Sequence, residues 1–186
     1  MVRPHGRPGQ ARRGTTLFRS HRFEATPLAM AGEHPTLEHL RTSLQPGQRL
    51  MGLDLGIKTI GIAISDVTRQ VATPLETIRR SKFSLDVSKL LALAAEENVG
   101  GIILGLPINM DGSEGPRAQS TRAFARNMGK SSPLPIVFWD ERLSTAAVER
   151  MLIESDRSRA KRGRLVDKLA ATYILQGALD RLSRLG

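Results

Sequence analysis

The chain has 186 residues, 40% of them hydrophobic and 25% charged, a mix that suits one globular domain with a short appendage. It has no cysteine, which excludes disulfides and thiolate metal sites, and no run approaching the roughly 18 apolar residues of a membrane span. A net charge of +10 and a sequence pI of about 11.1 point to a polyanionic partner, with nucleic acid the first candidate.

Residues 1–30 hold six arginines against one acid, Glu24, with Pro and Gly and no apolar period. Such a block cannot bury enough surface to fold, so residues 1–35 are expected to form a disordered basic extension. An extended start, with Met30 as the natural initiator, and an organellar transit peptide are the other readings. Residues 36–48 ("TLEHLRTSLQPGQ") predict a short helical lead-in that Pro46 and Gly47 break. The folded domain is placed at 49–186.

"RLMGLDLG", "TIGIAISD" and "QVATPLETI" read as three strands joined by short connections, hence as antiparallel neighbours. "SLDVSKLLALAAEENVG" predicts a helix with Ser84 as N-cap, Leu90, Leu91, Ala94 and Ala95 on its inner face, and Asn98 and Gly100 at its end. "GGIILGLP" is a continuous apolar run, as in a buried central strand. Pro116 opens a helix to about Met128. "LPIVFWD" predicts another buried strand, "STAAVERMLIE" a helix, "SDRSRAKRGR" a basic loop and "LVDKLAATYILQGALDRL" a closing helix. The order β-β-β-α-β-α-β-α-α predicts one mixed five-stranded α/β sheet, three antiparallel strands and then two parallel ones, flanked by helices.

Acids stand out at three places in the chain. Alternation puts Leu50, Gly52 and Asp54 on one face of the first strand, and a carboxylate there needs a cation, a partner or water. Asp54 reads as a structural turn cap, as a metal ligand, or as the phosphate-loop aspartate of an ATPase of the actin, hexokinase and Hsp70 superfamily, whose first motif is also D-x-G. Asp140 and Glu141 end the last strand, and because neighbours alternate, only one of them can join a given site. Asp167 begins a stripe with Ala170, Ala171, Ile174 and Ala178 on the closing helix. An acid in a first helical turn gains from the helix dipole, but one on the buried stripe favours a site.

The glycine-bearing loop with Asn109, Asp111, Gly112 and Gly115 reads equally as an anion-binding turn or as a plain strand-to-helix turn. Ser144 and Thr145 are read as helix caps. Lys58, Arg142 and the run Arg157, Arg159, Lys161, Arg162 and Arg164 are candidate phosphate contacts, or else a solvated face. Separated carboxylates at one sheet edge beside basic residues suit hard divalent ions and phosphodiester cleavage. All four histidines lie in the first 39 residues, so a histidine mechanism is not expected.

"GLDLGIKTIGIA", "IILGLPINMDGSEGP", "DERLSTAAVE" and "VDKLAATYILQGAL" occur in this order. On these motifs residues 49–182 resemble the YqgF (RuvX) family, described as Holliday junction resolvases and pre-16S rRNA nucleases. The resemblance implies an RNase H-like fold, a cytoplasmic location and a role in maturing the 5′ end of 16S rRNA. Carried over, the family site is Asp54, Glu141 and Asp167, with Mg²⁺ or Mn²⁺ as the expected cofactor. The substrate is expected to be pre-16S rRNA, or alternatively branched DNA, and the protein a monomer or homodimer with no membrane partner. RNase H-like resolvases usually carry an acid at the end of the fourth strand, where this chain reads "LGLP", which leaves the metal count open. A non-catalytic rRNA-binding or transcription-associated factor is the remaining alternative.

Overall fold

The structure is a computed structural model that describes residues 34–143 and 159–185. A short helix, α1 (Leu37–Ser43), precedes a meander of three strands: β1 (Arg49–Leu55), β2 (Thr59–Ser65) and β3 (Ala72–Arg79). Then follow α2 (Phe83–Glu96), β4 (Val99–Leu106), α3 (Pro116–Gly129), β5 (Ile136–Asp140), a 3₁₀ turn (Glu141–Leu143) and the closing helix α4 (Arg159–Arg184). The predicted helix at "STAAVERMLIE" lies outside the described residues. So do Arg157 and residues 1–33.

The five strands form one sheet in the order β3-β2-β1-β4-β5. β1–β2 and β2–β3 pair antiparallel, while β1–β4 and β4–β5 pair parallel. This is the mixed five-stranded sheet expected from the sequence, three antiparallel strands and then two parallel ones. Two antiparallel reversals make β3 run parallel to β1, so β1, β3, β4 and β5 all finish at the same sheet edge.

β1 is buried on both faces because helices cover both. Met51, Leu53 and Leu55 join Ile62, Leu90, Ile102 and Phe124 in a core under α2 and α3. Leu50 joins Ile103, Val137, Trp139, Ile174 and Leu175 in a second core under α4. Thr36 caps α1 by accepting from His39 N, and fully buried Leu40 fixes this helix to the second core at the start of β4.

α4 lies very close to the sheet. A Cβ at Gly52 would stand 2.6 Å from Leu175 Cβ and 2.8 Å from the Ala171 carbonyl oxygen, and one at Gly105 would stand 2.5 Å from Ile174 Cδ1. On the helix side, Gly177 admits the Trp139 indole, whose Cζ2 would be 2.9 Å from an added Cβ.

Three expectations about helix ends are corrected. Ser84 is not the N-cap of α2: the helix begins at Phe83 with Lys82 as N-cap, and the buried Asp86 carboxylate accepts instead from Ser81 N and Oγ. At its other end Asn98, with φ +52°, turns the chain, and Gly100 already belongs to β4. α4 starts at Arg159, so "RAKRGR" is helical and not loop. Arg, Lys and Ala are strong helix formers, and the lone Gly163 is too weak a breaker to stop them.

Gly52→Ala is expected to lower stability by about 1–3 kcal/mol, because the added methyl meets backbone and a packed Cβ that cannot yield. Gly129, at the end of α3, has open space around it, and Gly129→Ala should shift the urea midpoint little or upward. Equal midpoints for Gly52→Ala and wild type would show that α4 does not press on β1 as described.

Candidate active site at the carboxyl edge of the sheet

Asp54 is 6% exposed, on the second-last residue of β1 and on the α4 face. Its cross-strand partner on β2 is Gly61. On the β4 side the position beyond the Leu53–Leu104 pair is Gly105. The carboxylate is thus flanked by a glycine on each neighbouring strand, which leaves room beside it on an otherwise packed face.

Glu141 fills part of that room. β5 ends at Asp140, and the 3₁₀ turn folds Glu141 back so that its Oε1 would lie 2.8 Å from a Cβ at Gly105. Ile174 of α4 approaches the same point, so Glu141 stands on the α4 face, like Asp54. At the backbone Glu141 is two strand spacings, roughly 10 Å, from β1, and its side chain reaches back over Gly105 of β4, the strand next to Asp54. The sequence placed Glu141 on the strand itself; it lies one residue past its end.

Asp140 points elsewhere. Its carboxylate accepts from Arg142 N (2.9 Å), Nε (3.1 Å) and Nη2 (2.7 Å). The Arg142 guanidinium holds the Asp140 carboxyl below the usual carboxylate range. Arg142 Nη1 also donates to the Asn109 carbonyl oxygen at 3.3 Å. This clamp ties the β4–α3 loop to the end of β5 and fixes the turn that carries Glu141. A phosphate at Arg142 has to compete with Asp140.

The β4–α3 loop satisfies itself. Gly112 N donates to Asn109 O, Asn109 N to Ser113 O, and Asp111 Oδ1 accepts from Ser113 N and Oγ. With the Gly112 N–H so used, the loop behaves as the plain strand-to-helix turn. Pro116 then starts α3.

Asp167 is described by its backbone alone, as are Arg159, Lys161, Arg162 and Arg164. The end of α4 lies near α1, where Arg181 lowers the Glu38 carboxyl behind its local hydrogen bonds, and α1 sits at the opening end of β4. α4 therefore runs toward the opening edge, and its beginning points to the edge where Asp54 stands. Ala171 rests on Gly52. One helical turn back from Ala171 covers about 6 Å, and two strand residues from Gly52 to Asp54 cover about 7 Å. The Asp167 backbone is thereby level with Asp54. Ala170, Ala171, Ile174 and Ala178 are buried, as the stripe predicted. Because the helix starts at Arg159, Asp167 lies beyond the first turn, and the dipole explanation of this acid does not apply.

The donor chemistry fits a hard divalent ion. Two carboxylates on one face, with a glycine cradle between them, suit Mg²⁺, which takes one or two carboxylates and keeps several waters. Among the described residues no three His, Asp or Glu side chains form a metal-holding group. Sequence reasoning did not single out Gly105 as the cradle. Its signal was the departure at "LGLP", where the missing acid marks the position Glu141 reaches over.

The RuvX family, described as "Holliday junction resolvase", matches residues 48–181. A Rhodobacter capsulatus protein named "Putative pre-16S rRNA nuclease" is 61% identical over 152 residues, covering 82% of this chain and 96% of the relative. One of the same name from Agrobacterium fabrum is 59% identical, covering 81% and 94%. Among solved structures, Thermus thermophilus RuvC in complex with a Holliday junction substrate aligns with TM-score 0.48 and 12% identity, over 73% of this chain and 96% of that one. The matching profile covers the domain from the start of β1 into the last turns of α4, and the chain belongs to the RuvX family.

Proposed function

We propose that this protein is a metal-dependent nuclease that cleaves structured RNA in the cytoplasm, with the 5′ end of pre-16S rRNA as its substrate. The observation that carries the reading is the pair Asp54 and Glu141 on one face of the carboxyl edge, separated by Gly105. Names of the 59–61% identical relatives support the substrate, and the +10 charge supports a polyanion.

Asp54, Glu141 and Asp167 would hold Mg²⁺ or Mn²⁺. Such ions, when bound, activate water and stabilise a leaving oxygen in phosphodiester hydrolysis. Asp54 is fixed by burial and by the strand, and Glu141 is oriented by the Asp140–Arg142 clamp. Exposed Lys58, in the β1–β2 hairpin, and the basic first turns of α4 would hold flanking phosphates. The described residues form one sheet, while an actin-like ATPase encloses its nucleotide between two copies of the fold. A four-way DNA junction is the second substrate reading, supported by the family description.

The test is cleavage by the full chain of a pre-16S rRNA 5′-end fragment and of a four-way DNA junction, with Mg²⁺, Mn²⁺ or EDTA. RNA cleavage with either ion and none with EDTA is expected; no cleavage under any condition would favour a non-catalytic RNA-binding factor. Asp54→Asn should reduce the rate at least about a hundredfold with its melting curve retained. Undiminished cleavage by that variant would refute the assignment. Gly105→Ala should slow cleavage at least about tenfold, since its methyl falls on Glu141 Oε1 and on Ile174. Wild-type turnover in Gly105→Ala would show that Glu141 has no part in the chemistry.

A further inference from the structure

The stretch "RRSK", residues 79–82, follows from none of the motifs above, yet topology brings it to the same sheet edge as the carboxylates. β3 runs parallel to β1, so Arg79, its last residue, sits at the edge where Asp54 and Glu141 stand. The face is the same as well. Gly61 pairs with both Asp54 and Thr77, which puts Thr77 in the row of Asp54 on the α4 side. Arg79 follows two residues later on that side, paired with Thr59 beside Lys58. Laterally it is two strand spacings from Asp54, roughly 10 Å.

Arg79, Lys82 and Lys58 are exposed, and none of them forms an ion pair among the described residues. The acids nearest Arg79 and Lys82 in the sequence are Glu76 and Asp86, and the one nearest Lys58 is Asp54 of the candidate site itself. Glu76 pairs with Ile62, in the opposite core, and so faces away from Arg79. Asp86 is buried and taken up by Ser81. Arg80 has a bracing part: its N–H donates to Lys58 O at 2.9 Å and its Nη1 to Gly56 O at 2.7 Å, which fixes the hairpin that presents Lys58.

We propose that Arg79 and Lys82, together with Lys58, form a phosphate-binding strip on the β3 side of the carboxylates, where the backbone of the nucleic-acid strand continues past the cleaved bond. This rests on the nuclease reading and adds a path for the strand. A surface that needed only solubility would place acids among these cations; a strip that follows a polyanion excludes them, as here.

The test is equilibrium binding, in EDTA, of the full chain to a labelled RNA hairpin with a single-stranded 5′ leader and to its DNA counterpart, over a range of salt concentrations. Arg79→Ala combined with Lys82→Ala should lower the slope of log K against log [salt] by about 1.4–1.8, as expected for two lost phosphate contacts, and weaken binding about tenfold at moderate salt. Circular dichroism should be unchanged. Lys89→Ala, an exposed cation on α2 on the other side of the sheet, should change affinity less than twofold. Equal losses on RNA and DNA support contact with phosphate. An unchanged slope in the double variant, an equal loss in Lys89→Ala, or a loss confined to RNA would overturn the strip. If the slope effect appears while the wild type cleaves nothing, the nuclease reading fails and the strip stands.

Discussion

The architecture depends on how closely α4 can approach the sheet. Gly52 and Gly105 on the strands, and Gly177 on the helix, each stand where a methyl group would collide with the opposite element. Close packing is ordinary in a core, but here it also sets function: it brings the α4 backbone down beside a strand that carries an acid. With larger residues at these positions α4 would ride higher over the row of Gly52 and Asp54.

The same glycines make a buried carboxylate tolerable. Asp54 has glycine across from it on β2 and beside it on β4, and Glu141 leans over the latter. Two like charges at this spacing repel unless a cation lies near them. The clamp of Asp140 on Arg142 belongs to the same logic: the acid that is not in the site is neutralised locally, and that contact turns its neighbour inward. Around this edge the cations collect, from Lys58 and Arg79 on one side to the start of α4.

Much of this was legible in the sequence because it is local and periodic. Alternation put Asp54 on the face of Gly52, and the apolar stripe of α4 is buried at Ala170, Ala171, Ile174 and Ala178 as its 3.6-residue period requires. The antiparallel pairing of β1, β2 and β3 followed from their short connections. Helix ends were less legible. Ser84 looked like a cap and Arg159–Arg164 like a loop, since cap preference and charge are weak signals against helix propensity summed over several residues. The position of Glu141 past the strand depends on Asp140 bonding Arg142 N, which alternation cannot reveal. Arg79 and Lys82 were passed over because Arg79 meets Thr59 of β2, beside Lys58, only through strand pairing, which also brings it to the edge where Asp54 stands.

The central claim is that Asp54 and Glu141 hold one divalent ion between them. Mn²⁺ binding to the full chain, followed by its electron paramagnetic resonance signal, addresses this without any substrate. One shared site predicts that Asp54→Asn and Glu141→Gln each weaken the same binding event by about tenfold or more, and that the double variant loses little beyond either single change. Independent losses that simply add in the double variant, or Mn²⁺ affinity untouched by both, would contradict it.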